Sequence, residues 1–164
     1  MRTVRRALIT GSFDPVTRGH EALLSEASRL FDEVVLGLFI NPDKTYLFTK
    51  EERLAMLSAV AERYPNASVA FSDGMVADFA RENNICCIFK GIRNEKDFLY
   101  EKEMADYNLA KSGVATVFLP AKEENAGISS SLVRESLTKG ILPQDLLPEA
   151  VWEIVAKKIS SFSK

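Results

Sequence analysis

Apolar runs of strand length alternate with helix-period segments five times along this 164-residue chain, and that alternation limits the fold more than any other feature. Val4–Thr10, Glu33–Ile40, Ser68–Ser72, Ile85–Lys90 and Val114–Leu119 read as short apolar strands. The second is apolar from its second residue onward, as a strand covered on both faces should be. Between them, Gly19–Phe31 carries a helical stripe of Ala22, Leu23, Ala27 and Leu30. Thr49 with Glu52 forms a capping-box pattern that opens a second helix bearing Leu54, Leu57 and Val60. Met75–Asn83, Asn94–Ala110, Ser129–Thr138 and Pro148–Ser160 complete the helices, Pro148 standing near a helix start. The pattern predicts an α/β chain: a Rossmann-like, open, five-stranded parallel sheet with helices on both faces, formed by a single domain over 1–164. Right-handed crossovers then gather the loops after the strands along one edge, where ligands bind in such folds.

Composition narrows the function. With 46% hydrophobic and 27% charged residues the chain is globular in type, and its net charge of −2 offers no field for nucleic acid or anionic lipid. A polyanionic substrate would therefore need cations gathered locally. No apolar run approaches the roughly 20 residues of a membrane span, and the basic stretch Met1–Arg6 has no apolar core or cleavage site following it. The expectation is a cytoplasmic protein with no nucleic-acid or membrane partner. Cys86 and Cys87 suggest neither bridges nor metal spacing; as neighbours on a strand they read as two small buried hydrophobes rather than a redox pair.

Three segments at the ligand edge carry residues that packing does not require. The first is Gly11-Ser12-Phe13-Asp14-Pro15-Val16-Thr17-Arg18-Gly19-His20, in which Gly19-His20 sits where a helix begins. Free N–H groups at a helix start form an anion site, and the chain's one histidine can add a donor to it. The bland alternative is a histidine in an ordinary cap, with Asp14-Pro15 as a plain turn. The loop is neither a Walker A motif nor Gly-x-Gly-x-x-Gly. The second is Ile128-Ser129-Ser130-Ser131-Leu132-Val133-Arg134, where three serines open a helix that a single serine could cap. The third is Lys90-Gly91-Ile92-Arg93, followed by Asn94 to Glu101. Here a strand ends on a cation, a glycine turns the backbone, and a second cation follows.

Thr17-Arg18-Gly19-His20 resembles the (H/T)xGH signature of the nucleotidylyltransferase superfamily. Ile128–Arg134 resembles that superfamily's second signature, Ile-Ser-Ser-(Ser/Thr)-x-(Ile/Val)-Arg. The segment Lys90-Gly91-Ile92-Arg93, with Asp97-Phe98-Leu99-Tyr100-Glu101, resembles a stretch of the phosphopantetheine adenylyltransferase family, as does Asn41-Pro42-Asp43-Lys44 with the helix after it. The resemblance covers about the first 160 residues. It implies that Ser12 and Phe13 contact nucleotide, Ser12 also nearing the acceptor phosphate, and that His20 and Lys44 flank the reacting phosphates. It further implies that Lys90 and Met75 meet 4′-phosphopantetheine. Gly91, Ile92, Arg93 and Glu101, with Asn125, Ala126, Gly127, Ile128, Ser129, Ser130 and Ser131, are expected to line the ATP site.

Ser12 departs from the family's usual threonine but keeps the hydroxyl, while Lys90 replaces an arginine and loses its planar fork. Gly74 stands where relatives often have leucine, and Asn125 and Gly127 where they often have aromatics. The implied reaction is adenylyl transfer from ATP, with Mg2+ delivered by the nucleotide, in a homohexamer. Alternatives are transfer to another phosphate, such as nicotinamide mononucleotide or glycerol 3-phosphate, and a regulatory nucleotide-binding module without catalysis.

Overall fold

The computed structural model describes residues 1–162. Five parallel strands form a sheet in the order β3-β2-β1-β4-β5: β1 Arg6–Gly11, β2 Glu33–Phe39, β3 Ala67–Ser72, β4 Cys87–Ile92 and β5 Ala115–Pro120. The helices are α1 Arg18–Leu30, α2 Lys50–Ala61, α3 Val76–Glu82, α4 Glu95–Ser112, α5 Ser130–Thr138 and α6 Trp152–Phe162. Alternation along β1 divides the core. Ala7 and Ile9 pack with residues of α1, α2, α5 and α6, while Leu8, on the other face, packs with Ala80 of α3. Helix α4 lies against α3 and β5 on that second side, which gives the expected helices on both faces.

Local chemistry sets the element ends. Thr49 Oγ1 accepts from the Glu52 N–H while the Glu52 carboxylate accepts from the Thr49 N–H, so the anticipated capping box opens α2. Helix α4 stops at Gly113, whose φ of 75° is the left-handed conformation that glycine adopts without a Cβ penalty.

Several boundaries differ from the sequence reading. β1 starts at Arg6 rather than Val4, because its ladder with β2 begins at the Arg6–Glu33 pair. β4 runs on through Gly91 and Ile92, which pair with Leu119 and Pro120 of β5. Gly91 is therefore a ladder residue and not a turn, and the strand does not end on Lys90. Ile85, expected in that strand, instead bonds back to the Ala80 carbonyl as the chain leaves α3. Cys87 is buried, but Cys86 lies in the bend before the strand and is exposed, so the pair is not two buried hydrophobes. Three 3-10 turns, at Glu123–Asn125, Gln144–Leu146 and Glu149–Val151, have no periodicity to announce them.

The sheet positions the site through one irregularity. β1 pairs with β2 over six residues, but with β4 only at Ala7–Cys87 and Leu8–Ile88. Beyond Leu8 the two central strands part, at the point where the strand order reverses. Such a switch point opens a crevice at the carboxyl ends of the strands. None of the described helices is long and apolar enough to cross a membrane.

Candidate active site

The gap between β1 and β4 opens into a cleft of about 1100 Å³. Among the cations lining it, Lys44 follows β2, Lys90 and Arg93 stand at the end of β4, and Arg134 belongs to α5. Lys90 Nζ spans the gap itself, donating to Thr10 Oγ1 of β1 at 3.2 Å and pairing with Glu101 of α4 at 3.4 Å.

His20 lies at the N-terminus of α1, and its ring is oriented by the cap. Thr17 is the N-cap, and His20 takes the third helical position that glutamate or glutamine occupies in a capping box. The Thr17 backbone N–H donates to His20 Nδ1 at 2.9 Å. An amide N–H can only donate, so Nδ1 is the acceptor and the neutral ring carries its proton on Nε2. Phe13 supports the ring edge-on, with centroids 4.9 Å apart. Burial, reinforced by Lys90 and Arg93, pushes the His20 pKa down from 6.5 to about 4. At neutral pH the side chain is thus an uncharged imidazole with an Nε2–H donor, at a helix start where the Arg18 and Gly19 N–H groups are also free of helical partners.

The opposite wall is α5. Ser129 caps it by accepting from the Leu132 N–H. Ser130 Oγ donates to the Pro15 carbonyl at 2.8 Å, and Arg134 donates to the Asp14 carbonyl at 2.8 Å. Arg134 also donates to Ser131 Oγ. The triple serine is therefore used partly to fasten α5 to the β1–α1 loop, while the first-turn N–H groups of Ser130 and Ser131 have no helical acceptor.

Asp14 is more than the turn residue its sequence context suggests. It is 3% exposed, and its two carboxylate oxygens accept from the Leu47 N–H at 2.9 Å and the Phe48 N–H at 2.8 Å. That staple fixes the loop carrying Lys44 relative to the loop leading to His20. Arg53, 2% exposed, donates to the Ser12 carbonyl at 3.0 Å and stacks on Tyr46. These two residues, with Thr10, Thr17 and Asp97, support the site, and the sequence motifs that contain them assign them no role in it. The legible signal was Thr17 three positions before His20, a capping box with histidine in the glutamate position.

The expected site residues do not all reach the cleft. Ser12, His20, Lys44, Lys90, Gly91, Arg93 and Glu101 line it, as do Asn125 and Ile128 through Ser131. Phe13 adopts a φ of 46° and is 2% exposed, its ring filling the space that a Cβ on Gly11 would enter at 3.2 Å. Phe13 is therefore a buried support for the loop and for His20, and does not line the cleft. Ile92, Ala126 and Gly127 are not in the lining. Met75 is exposed just before α3, also outside it. Cys87 is held as a thiol by burial and then by Cys86, with its pKa raised to about 12, and takes no part.

Comparison with known proteins places this geometry. A solved structure from Vibrio parahaemolyticus, described as a nicotinate-nucleotide adenylyltransferase, superposes with a TM-score of 0.70 over 96% of this chain and 95% of that one. At 16% identity it shows the shared fold alone. The phosphopantetheine adenylyltransferase of Leuconostoc citreum is 46% identical over 79% of this chain and 82% of its own length. That of Streptomyces coelicolor is 40% identical over 95% and 98%. Residues 8–136 match the family described as cytidylyltransferase-like, and with relatives of this identity and coverage the chain belongs to the phosphopantetheine adenylyltransferase family within it.

Proposed function

We propose that the protein transfers the adenylyl group of ATP to the phosphate of 4′-phosphopantetheine, giving 3′-dephospho-coenzyme A and pyrophosphate in coenzyme A biosynthesis. The observation that carries this reading is the histidine held by its own helix cap with Nε2–H as donor, beside Lys90 and Arg93 in the cleft between β1 and β4. The acceptor phosphate is already a nucleophile, so the reaction needs no serine or cysteine and no general base. An acceptor oxygen attacks the ATP α-phosphorus in line, the bond to the β-phosphate bridging oxygen breaks, and pyrophosphate leaves with that electron pair. Charge gathers on the nonbridging α-oxygens, where a neutral donor fixed in advance stabilises the transition state.

In this reading Ser12, Lys44 and Lys90 serve the acceptor, with Lys44 bridging the reacting groups. His20, Gly91, Arg93, Glu101, Asn125 and Ile128 to Ser131 serve ATP. Arg93 and the first turn of α5 steady the departing pyrophosphate. Glu101 pairs with Lys90, so it links the two substrate sides. Mg2+ enters as part of the MgATP substrate, held mainly by phosphate oxygens. Self-association is supported by apolar side chains exposed on α4, where Leu99 and Tyr100 are 60% and 61% exposed, and a homohexamer is the assembly that the family resemblance implies. Cytoplasmic residence follows from the same reading, since ATP is supplied there.

The direct test is the His20→Ala variant in a coupled pyrophosphate-release assay with ATP and 4′-phosphopantetheine. Removing one preorganised donor typically lowers turnover by ~10²–10³, and the Michaelis constant for ATP should change far less. Near-normal turnover in a folded His20→Ala protein would remove the basis of the mechanism.

A further inference from the structure

Arg93 is held before any ligand contact by a residue that the reaction scheme leaves unused. Asp97 is the third residue of α4, whose N-cap Asn94 accepts from the Asp97 N–H at 2.9 Å. An acid at this position ordinarily reaches back to the N-cap amide. Asp97 reaches one residue further: Oδ2 accepts from the Arg93 backbone N–H at 3.2 Å and from Nε at 2.7 Å, and Oδ1 accepts from Nη2 at 3.1 Å. Arg93 Nη1 donates to the Ile128 carbonyl, at the start of the serine segment, at 3.1 Å. A guanidinium has about five N–H donors. With three committed, one on each terminal nitrogen is left for a ligand, in a fixed plane. The ion pair holds the Asp97 carboxyl below the ordinary carboxylate range, so it stays charged at neutral pH.

We propose that Asp97 is a positioning residue that, with the Ile128 carbonyl, fixes the Arg93 guanidinium in the orientation that receives the ATP polyphosphate. This rests on the reading above, in which Arg93 meets that polyphosphate. Two effects of Asp97 oppose each other. Its negative charge offsets the cation and weakens attraction for phosphate, while its two-oxygen grip keeps a long side chain from sampling rotamers that miss the ligand. The partly exposed site screens the first effect, whereas geometric preorganisation acts at any ionic strength. Positioning therefore dominates, and the sign of the Asp97→Asn result separates the two.

The experiment measures Michaelis constants for both substrates and calorimetric MgATP binding in the wild type, Asp97→Asn, Asp97→Glu, Arg93→Ala and the double variant that combines Asp97→Asn with Arg93→Ala. Asp97→Asn should weaken ATP by about tenfold in both readouts, leave the phosphopantetheine constant unchanged, and be partly rescued by Asp97→Glu. In the Arg93→Ala background the change at Asp97 should add nothing, because its effect passes through the arginine. Tighter or unchanged ATP binding in Asp97→Asn, with Arg93→Ala still impaired, would overturn the positioning role and leave the function intact. Losses that simply add in the double variant would also overturn it. If Arg93→Ala itself left ATP binding normal, the assignment of Arg93 to ATP would fall, and the role of Asp97 with it.

Discussion

His20 owes its donor role to a backbone amide. Burial of the ring, with Lys90 and Arg93 beside it, disfavours the charged form, and a proton on Nδ1 would also face the Thr17 N–H. In the protein without nucleotide, NMR should therefore find the single imidazole titrating near 4, well below its ordinary 6.5. Bound ATP should move the value upward, since polyphosphate favours the charged ring. The sign for folding follows. The unfolded chain takes up a proton near 6.5 that the folded protein resists, so this group draws away stability as pH falls from 6.5 toward 4 and no further below. An imidazole titrating at 6.5 in the nucleotide-free protein would contradict the buried, uncharged ring beside Lys90 and Arg93. Lys90 and Arg93 should likewise separate. Lys90→Ala should weaken mainly 4′-phosphopantetheine and Arg93→Ala mainly ATP, each by roughly 1.5–3 kcal/mol, or about ten- to a hundredfold in the Michaelis constant. Equal weakening of both substrates by each change would mean a shared site. The identities of these residues were legible in the sequence because motifs fix spacing. Their hydrogen-bond partners were not: Thr10 reaches Lys90 from 80 residues away, and the nearby Asp97 has a spacing that fits an ordinary helix-start acid equally well.

Loops, more than helices or strands, bring the reacting groups together. The loop after β2 carries Lys44 on an exposed stretch, and its attachment to the rest of the site runs through the two oxygens of Asp14. Asp14→Ala should orphan the Leu47 and Phe48 amides and lower stability by about 3 kcal/mol, read from urea unfolding. Turnover should fall in the fraction that remains folded, and Asp14→Asn, which keeps one oxygen acceptor, should recover part of both losses. Unaltered stability would show that the staple contributes little. Helix starts were the more readable elements: Thr49 with Glu52 announces α2 by a local rule. The end of β4 was misread for the converse reason. Glycine beside a lysine signals a turn locally, but pairing with β5 keeps Gly91 and Ile92 in the ladder. A cis Asp14–Pro15 bond and the 46° φ of Phe13 are also tertiary outcomes that local patterns do not declare.

At the level of the whole molecule, alternating apolar runs and helical stripes disclosed the parallel sheet because each follows from a backbone period. They could not disclose that the β1–β4 ladder lasts only two residue pairs, and that short ladder opens the cleft. The exposed side chains of Leu99, Tyr100 and Tyr107 on α4 bear on assembly. Sedimentation should give a mass several times that of the 18.3 kDa chain, and Leu99→Glu together with Tyr107→Glu should reduce it. A monomeric wild type would refute the hexamer. The cleft accounts for adenylyl transfer in general; the acceptor is the claim that defines the protein. The most direct measurement supplies MgATP with 4′-phosphopantetheine, nicotinamide mononucleotide or glycerol 3-phosphate in turn and follows pyrophosphate release together with the mass of the adenylylated product. Release should occur with 4′-phosphopantetheine alone, matched by 3′-dephospho-coenzyme A. Turnover with one of the other acceptors and none with 4′-phosphopantetheine would contradict it.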